Sequence, residues 1–321
     1  MMKRKSVCII CISFIVTFWG YGFCGTKHLT LSKRMSFNID KSIFQAIEFS
    51  GDIVGCESGD GYYIFSQNGK LLYFEKQSFA LRDSCQLGKG KGPGEYLGIS
   101  RILLNGNQIY LYDYRLMRLI QFCLVADKLC YEDTINLDFK GVLEASYKNQ
   151  HFFFNTLTGY KKGFYPAVEI YDDELNSINT IIMSDLEIKK QQDIANYLGW
   201  FVVNTDYLYY ISLGNGNVMK IDLRTNKVIK TGINKKKKID VKDNIKEKHV
   251  SVFSVSENNS KLLLLYLCDN RESLFYEIFD KENLDCLDSG FVDVPCEHYV
   301  VVGNQILSFT PDKCDIYKLD Y

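Results

Sequence analysis

Gly106-Asn107-Gln108-Ile109-Tyr110-Leu111-Tyr112-Asp113 sets the reading of this chain. A turn-forming tripeptide leads into an alternating apolar and aromatic run, the pattern of a short strand bounded by turn residues. Its first four residues recur as Gly303-Asn304-Gln305-Ile306, again entering an apolar run. Comparable anchor strands begin near Ile53, Phe152, Leu208 and Leu262, so six anchors follow one another at intervals of 43 to 56 residues. Each is followed by a partner strand: Tyr62–Phe65, Leu119–Phe122, Val168–Tyr171, Val218–Ile221, Phe275–Phe279 and Ile316–Leu319. Polar turns close most units, as at Ser66–Gly69, Asp172–Glu174, Asp222–Asn226 and Asp280–Asn283.

Self-similarity at this period, with about four short strands per unit, points to an all-β six-bladed β-propeller of four-stranded antiparallel blades. The anchor is taken as the second strand of each blade and the partner as the third. The last unit ends at Tyr321 after its third strand, so the segment Lys27 to Asn38 is expected to supply the missing outer strand. That closure removes an open sheet edge. A pair of β-sandwiches and a seven-bladed ring with one degenerate blade are the competing arrangements. The best amphipathic stretch, Ser184 to Tyr197, reads as a loop insertion.

The 321 residues include 22 Tyr, 21 Phe and only 4 Pro, and 46% are hydrophobic, which suits a large core and excludes disorder. A net charge of −1 gives no electrostatic case for nucleic acid. Lys3, Arg4 and Lys5 precede an apolar run from Val7 to Trp19, then Gly20 and Gly22, which is the layout of a signal peptide. As a helix that run reaches roughly 20 Å, short of a bilayer core of about 30 Å. Residues 1–24 are therefore expected to be a signal peptide and residues 25–321 a single propeller domain. The protein is expected to be exported, to the periplasm or the outer membrane. Cys24 is a candidate lipidation site, although Tyr21-Gly22-Phe23 is a poor lipobox. Plain secretion competes with it, in which case there is no membrane attachment, and an uncleaved N-terminal anchor is the further alternative.

Eight cysteines follow Cys24, and none forms a CxxC pair of the zinc-site kind. Cys123 and Cys130 flank the hairpin turn Leu124–Leu129, so a disulfide across it competes with the favoured reading of free thiols buried in strands.

The strongest local motif is Gly88-Lys89-Gly90-Lys91-Gly92-Pro93-Gly94-Glu95-Tyr96. Together with Ile109–Asp113 and Leu119–Phe122, it resembles the exported six-bladed β-propellers of Gram-negative bacteria, a TolB-like group related to NHL-repeat propellers. The resemblance implies the fold and export; it implies no activity. The glycines permit positive φ, Pro93 fixes its own, and successive amides in such a loop form an anion nest. The loop is neither a Walker A segment nor a dinucleotide fingerprint, because no helix opens there. Gly88, Gly90, Gly92, Pro93, Gly94 and Glu95 are expected to form a structural crossover between the first two blades, with Glu95 pinning loop amides or capping the channel; a ligand contact is the competing reading.

Catalytic signals are weak. His28, His151, His249 and His298 sit in no GxSxG, HExxH or triad context. Glu57, Asn155, Asp206 and Asp269 are the candidates for a channel-mouth metal such as Ca²⁺, which needs about six to eight oxygens. The expectation is no catalytic residue, no metal and no cofactor. The loops between second and third strands gather on one face and offer Asp60, Tyr114, Arg115, Tyr160, Lys161, Lys162, Tyr165, Asn215, Arg271 and Asp312. Tyr114, Arg115, Tyr160, Lys161, Asn215 and Arg271 form the candidate ligand-binding set, an interface-like mixture. Trp200 is read as part of a rim loop, and Lys235–Lys238 as a solvated connection. The chain is thus read as a non-catalytic ligand- or protein-binding module of the cell envelope. The alternatives are a lactonase-like, metal-assisted hydrolase or lyase and a structural scaffold in an envelope complex.

Overall fold

The computed structural model describes residues 29–47, 53–66, 68–138, 141–160, 163–183, 199–212, 217–233, 251–267, 273–294 and 298–321. The chain enters through β1 (Thr30–Asn38) and a short helix α1 (Lys41–Ile47). Blade one is β2 (Val54–Glu57), β3 (Gly61–Phe65), β4 (Lys70–Glu75) and β5 (Leu81–Gln86). Blade two is β6 (Ile99–Asn105), β7 (Gln108–Asp113), β8 (Arg118–Val125) and β9 (Lys128–Asn136). Blade three is β10 (Gly141–Lys148), β11 (His151–Tyr160), β12 (Gly163–Tyr171) and β13 (Ser177–Ile182). Blade four is β14 (Gly199–Val203), β15 (Tyr207–Ser212), β16 (Asn217–Asp222) and β17 (Lys227–Ile233). Blade five is β18 (Ser251–Glu257), β19 (Lys261–Leu267), β20 (Ser273–Asp280) and β21 (Cys286–Asp293). Blade six is β22 (Tyr299–Val302), β23 (Gln305–Thr310) and β24 (Lys313–Asp320), completed by β1.

Six four-stranded antiparallel sheets result, and the first strands of successive blades touch one another around the axis. Ring closure is as the sequence implied: β1 pairs antiparallel with β24 from Thr30 opposite Asp320 to Asn38 opposite Lys313. Surface pairs such as Lys33–Asp315 at 2.7 Å and Arg34–Asp320 at 2.8 Å decorate this ladder. Exposed pairs contribute little, so the ladder itself and the core beneath it hold the closure.

Every blade buries both faces, which explains why the inner strands read as continuous apolar runs. Alternate residues of one strand feed two different cores. Tyr62 and Ile64 pack toward blade six, with Val300, Val302 and Phe309. Tyr63 and Phe65 pack toward blade two, with Ile109 and Leu111. Six apolar clusters fill the six seams. Burying each large side chain contributes about 1.5–3 kcal/mol, so the seams dominate stability.

Two expectations change. The anchor near Ile53 leads into β2, the first strand of its blade, and Tyr62–Phe65 is the second, so the phase of blade one is shifted by one strand. The misreading arises because β2 is short and mildly apolar, and because the Ser66–Gly69 turn follows the second strand there rather than the third. Trp200 lies within β14, not in a rim loop. The stretches 184–197 and 235–238 fall outside the described residues. Among those described, no helix is long and apolar enough to cross a membrane.

Candidate functional site

The ring has two faces. Hairpins between second and third strands share one face with the crossovers from blade to blade. Hairpins between first and second strands, and between third and fourth, share the other. Tyr114 and Arg115 follow β7 on the crossover face. Arg115 Nε donates to the Tyr114 hydroxyl at 3.1 Å, and both side chains lie over Gly98, where an added Cβ would meet them at 2.8 to 3.0 Å. Tyr160 ends β11. Lys161, Lys162, Asn215, Arg271 and Cys24 lie outside the described residues, so the candidate set is described only in part. Asp60 must be moved: the shifted phase of blade one puts it in the β2–β3 hairpin, on the opposite face.

The glycine-rich crossover is built on a buried acid. Asp113, fully buried at the end of β7, accepts from the amides of Leu97 (2.8 Å), Gly98 (3.2 Å), Arg115 (3.1 Å) and Leu116 (3.2 Å). Arg118 Nε lies 4.0 Å from it. The Arg118 guanidinium reaches on to donate to Lys91 O at 3.0 Å and Glu95 O at 2.6 Å. Glu95 folds back under the loop, and its Oε2 accepts the Gly92 amide at 2.6 Å. Gly94 has a positive φ of 70°, and its amide donates to Thr134 Oγ1 at 2.9 Å. A nest amide is therefore satisfied by the chain's own carboxylate.

A second cluster lines the axis. Arg101 on β6 makes a two-point salt bridge to Glu144 on β10, with Nε–Oε1 3.0 Å and Nη2–Oε2 2.6 Å. The guanidinium also donates to Ser100 O at 2.7 Å and lies 4.0 Å from the centre of the Trp200 ring. Burial pushes the Glu144 carboxyl up to about 7, against the downward pull of Arg101. Blades two, three and four are thereby joined near the axis by charge and cation–π contact.

On the opposite face, one constellation occurs twice. Glu57 ends β2 and pairs with Lys76 at 2.8 Å while accepting from Gln305 Nε2 at 2.6 Å. Glu257 ends β18 and pairs with Lys281 at 2.6 Å while accepting from Asn204 Nδ2 at 3.1 Å. In each case the acid closes a first strand, the lysine comes from the third-to-fourth turn of the same blade, and the amide comes from the preceding blade. Beside the second copy, between blades four and five, lies an open groove of about 710 Å³. Asn204, Asp206, Tyr207, Tyr209 and Lys220 line it from blade four, and Glu257–Ser260 and Asp280–Glu282 from blade five. Lys220 Nζ rests 4.2 Å from the Tyr207 ring centre. Among the described residues, Lys220 has no acidic partner and the Asp206 carboxylate makes no hydrogen bond or ion pair.

The proposed metal candidates do not converge as described. Glu57 belongs to the blade-one clamp and Asp206 to the blade-four groove, whereas Asn155 is buried in β11 and donates to Gly199 O at 2.5 Å. Asp269 lies outside the described residues. Among the described residues, no three His, Cys, Asp or Glu side chains gather as a metal site would need. Sequence reading missed Arg101, Glu144, Glu257, Lys281, Tyr207 and Lys220. The twin clamp had a signal: Phe74-Glu75-Lys76 and Phe279-Asp280-Lys281 share one pattern at equivalent turns.

Fold and seams define a closed propeller, with the Arg101–Glu144–Trp200 cluster and the two acid–lysine–amide clamps each joining neighbouring blades. The chain belongs to the DUF5128 family of six-bladed β-propellers, whose profile matches residues 60–294. Its fold is similar to that of a Bacteroides fragilis protein classed as exported, with 13% identity, TM-score 0.55, and coverage of 92% of this chain and 97% of that one. BamB from Moraxella catarrhalis is more distant, with 9% identity, TM-score 0.44, and coverage of 84% and 85%. Comparison with curated proteins found no match.

Proposed function

We propose that this protein is an exported module of the cell envelope that binds a polar ligand or partner segment in the groove between blades four and five. The observation that carries the proposal is the pairing of an open groove with two charges, Lys220 resting on tyrosine rings and Asp206, neither of which has an oppositely charged partner among the described residues. Lys220 is placed to meet an acceptor group and Asp206 a donor group, so the fitting ligand is hydroxyl-rich or zwitterionic. The basic and apolar layout of Lys3 to Trp19 supports export, to the periplasm or the outer membrane, and Cys24 is the residue that a lipid would take. The Gly88–Glu95 loop supports kinship with the TolB-like and NHL-related propellers.

The test titrates the native chain with soluble envelope saccharides and peptides, following binding by calorimetry. Lys220→Ala and Asp206→Ala should each weaken the complex about tenfold and leave the thermal midpoint unchanged. Equal affinity in wild type and both variants would overturn the groove assignment. Turnover of a lactone or ester by the same preparation would overturn the non-catalytic reading.

A further inference from the structure

The β8–β9 hairpin turns at Ala126 and Asp127, whose φ values are 47° and 63°. This is the two-residue turn whose twist suits paired strands. Val125 faces Lys128, Leu124 faces Leu129, and Cys123 faces Cys130. The pair closing a two-residue loop exchanges ladder hydrogen bonds, and bonded and open pairs alternate from there. Leu124 and Leu129 form the open pair, and their amides turn outward. Leu124 donates to Asn107 O at 2.8 Å, and Leu129 donates to Asp83 Oδ2 at 2.8 Å. Cys123 and Cys130 are therefore a hydrogen-bonded pair with both side chains on one face. Cα atoms in such a pair lie about 5.5 Å apart, inside the span of about 4.4–6.8 Å that a disulfide bridges. The Glu132 carboxylate, burial and the neighbouring Cys130 sulfur push the Cys123 thiol up to about 11. Cys123 is buried and Cys130 is exposed.

We propose that Cys123 and Cys130 form a redox-active dithiol that closes to a cross-strand disulfide and reopens, with a protein or small-molecule disulfide as its oxidant. The exposed Cys130 thiolate attacks one sulfur of the incoming disulfide. A mixed disulfide forms, the incoming S–S bond breaks, and the first thiolate leaves and takes a proton. Cys123 then releases its proton to water, and its thiolate attacks Cys130 Sγ, displacing the second external thiolate, which takes a proton. Two protein thiols are oxidised by two electrons, and one external disulfide is reduced to two thiols. A dithiol reductant runs the exchange backwards. The β-carbons of a hydrogen-bonded pair stand about 5.5 Å apart, beyond the roughly 3.5–4.5 Å of a relaxed disulfide, so closure must draw the two strands together and strain the bond, and strained disulfides are the reducible ones. Closure would pin the hairpin that holds Asp83 of blade one through Lys128 and Leu129, at the seam beneath the glycine-rich crossover.

The test exposes the full chain to oxidised glutathione, traps remaining thiols with an alkylating reagent, and reads intact mass and peptide maps. The expected result is loss of two hydrogens, a peptide linking Cys123 to Cys130, and recovery with a dithiol reductant, while Cys85 and Cys286 stay alkylatable. Cys123→Ser should instead hold a lasting glutathione adduct on Cys130. Alkylation of both thiols in oxidised wild type, or a lasting adduct on wild-type Cys130, would overturn the proposal.

Discussion

Arg101 and Glu144 stand on the first strands of adjacent blades and grip each other at two points, Nε–Oε1 3.0 Å and Nη2–Oε2 2.6 Å. Burial raises the Glu144 carboxyl from 4.5 to about 7. The folded chain therefore holds this proton at pH values where the unfolded chain has released it. The associated stability is fully present below pH 4.5 and is lost as pH rises to about 7. Glu144→Gln should remove that slope, so the stability of wild type relative to the variant should fall by roughly 1–3 kcal/mol across the window. Urea midpoints measured at several pH values check this, and parallel profiles for the two proteins would contradict it.

Asp113 gathers four backbone amides and lies beside Arg118, both side chains buried beneath a turn whose tip, Arg115, is exposed. Asp113→Asn keeps the shape but turns one acceptor into a donor that faces N–H groups. The variant should lose about 2–3 kcal/mol, the cost of leaving buried donors unmatched and Arg118 without its charge partner. Hydrogen exchange at Leu97 and Gly98 should accelerate before the rest of blade two. Unchanged exchange at these two amides would show that another group holds the turn.

The twin clamps predict a graded response. Lys281 and Glu257 are 14% and 21% exposed, whereas Lys76 and Glu57 are 37% and 26% exposed. Water screens the blade-one pair more strongly. Lys281→Met should cost about 1–2 kcal/mol and Lys76→Met under about 1 kcal/mol. Chemical unfolding of both variants gives the ranking, and the reverse order would show that burial does not set the strength of these pairs.

Much of the fold was legible because a blade buried on both faces writes itself as an apolar run, as in Leu262–Tyr266, and does so at a near-constant period. The phase of blade one was not legible, because a first strand such as Val54–Glu57 differs little from a second strand by composition. The clamps and the axial cluster join residues from separate blades: Arg101 reaches Glu144 and Trp200 only after the ring closes. Neither partner announces the other locally. The loop around Glu95 could be read because its turn chemistry lies within nine consecutive residues, from Gly88 to Tyr96.

That loop also carries the last prediction. An ideal Cβ at Gly90 would lie 2.1 Å from Glu95 Oε2 and 2.7 Å from its carboxyl carbon. Real Cβ atoms do not approach so closely, so Gly90→Ala must push the carboxylate away and strand the Gly92 amide, which now donates to it at 2.6 Å. The expected loss is about 1–2 kcal/mol, that of a charge-assisted hydrogen bond. Glu95→Ala removes the same bond from the other side and clears the space. The double variant should therefore be scarcely less stable than Glu95→Ala alone, with an interaction term of about 1 kcal/mol. A cycle of thermal or urea unfolding on all four proteins measures it. Strictly additive losses would mean that the carboxylate gives way to the new methyl group without releasing the Gly92 amide.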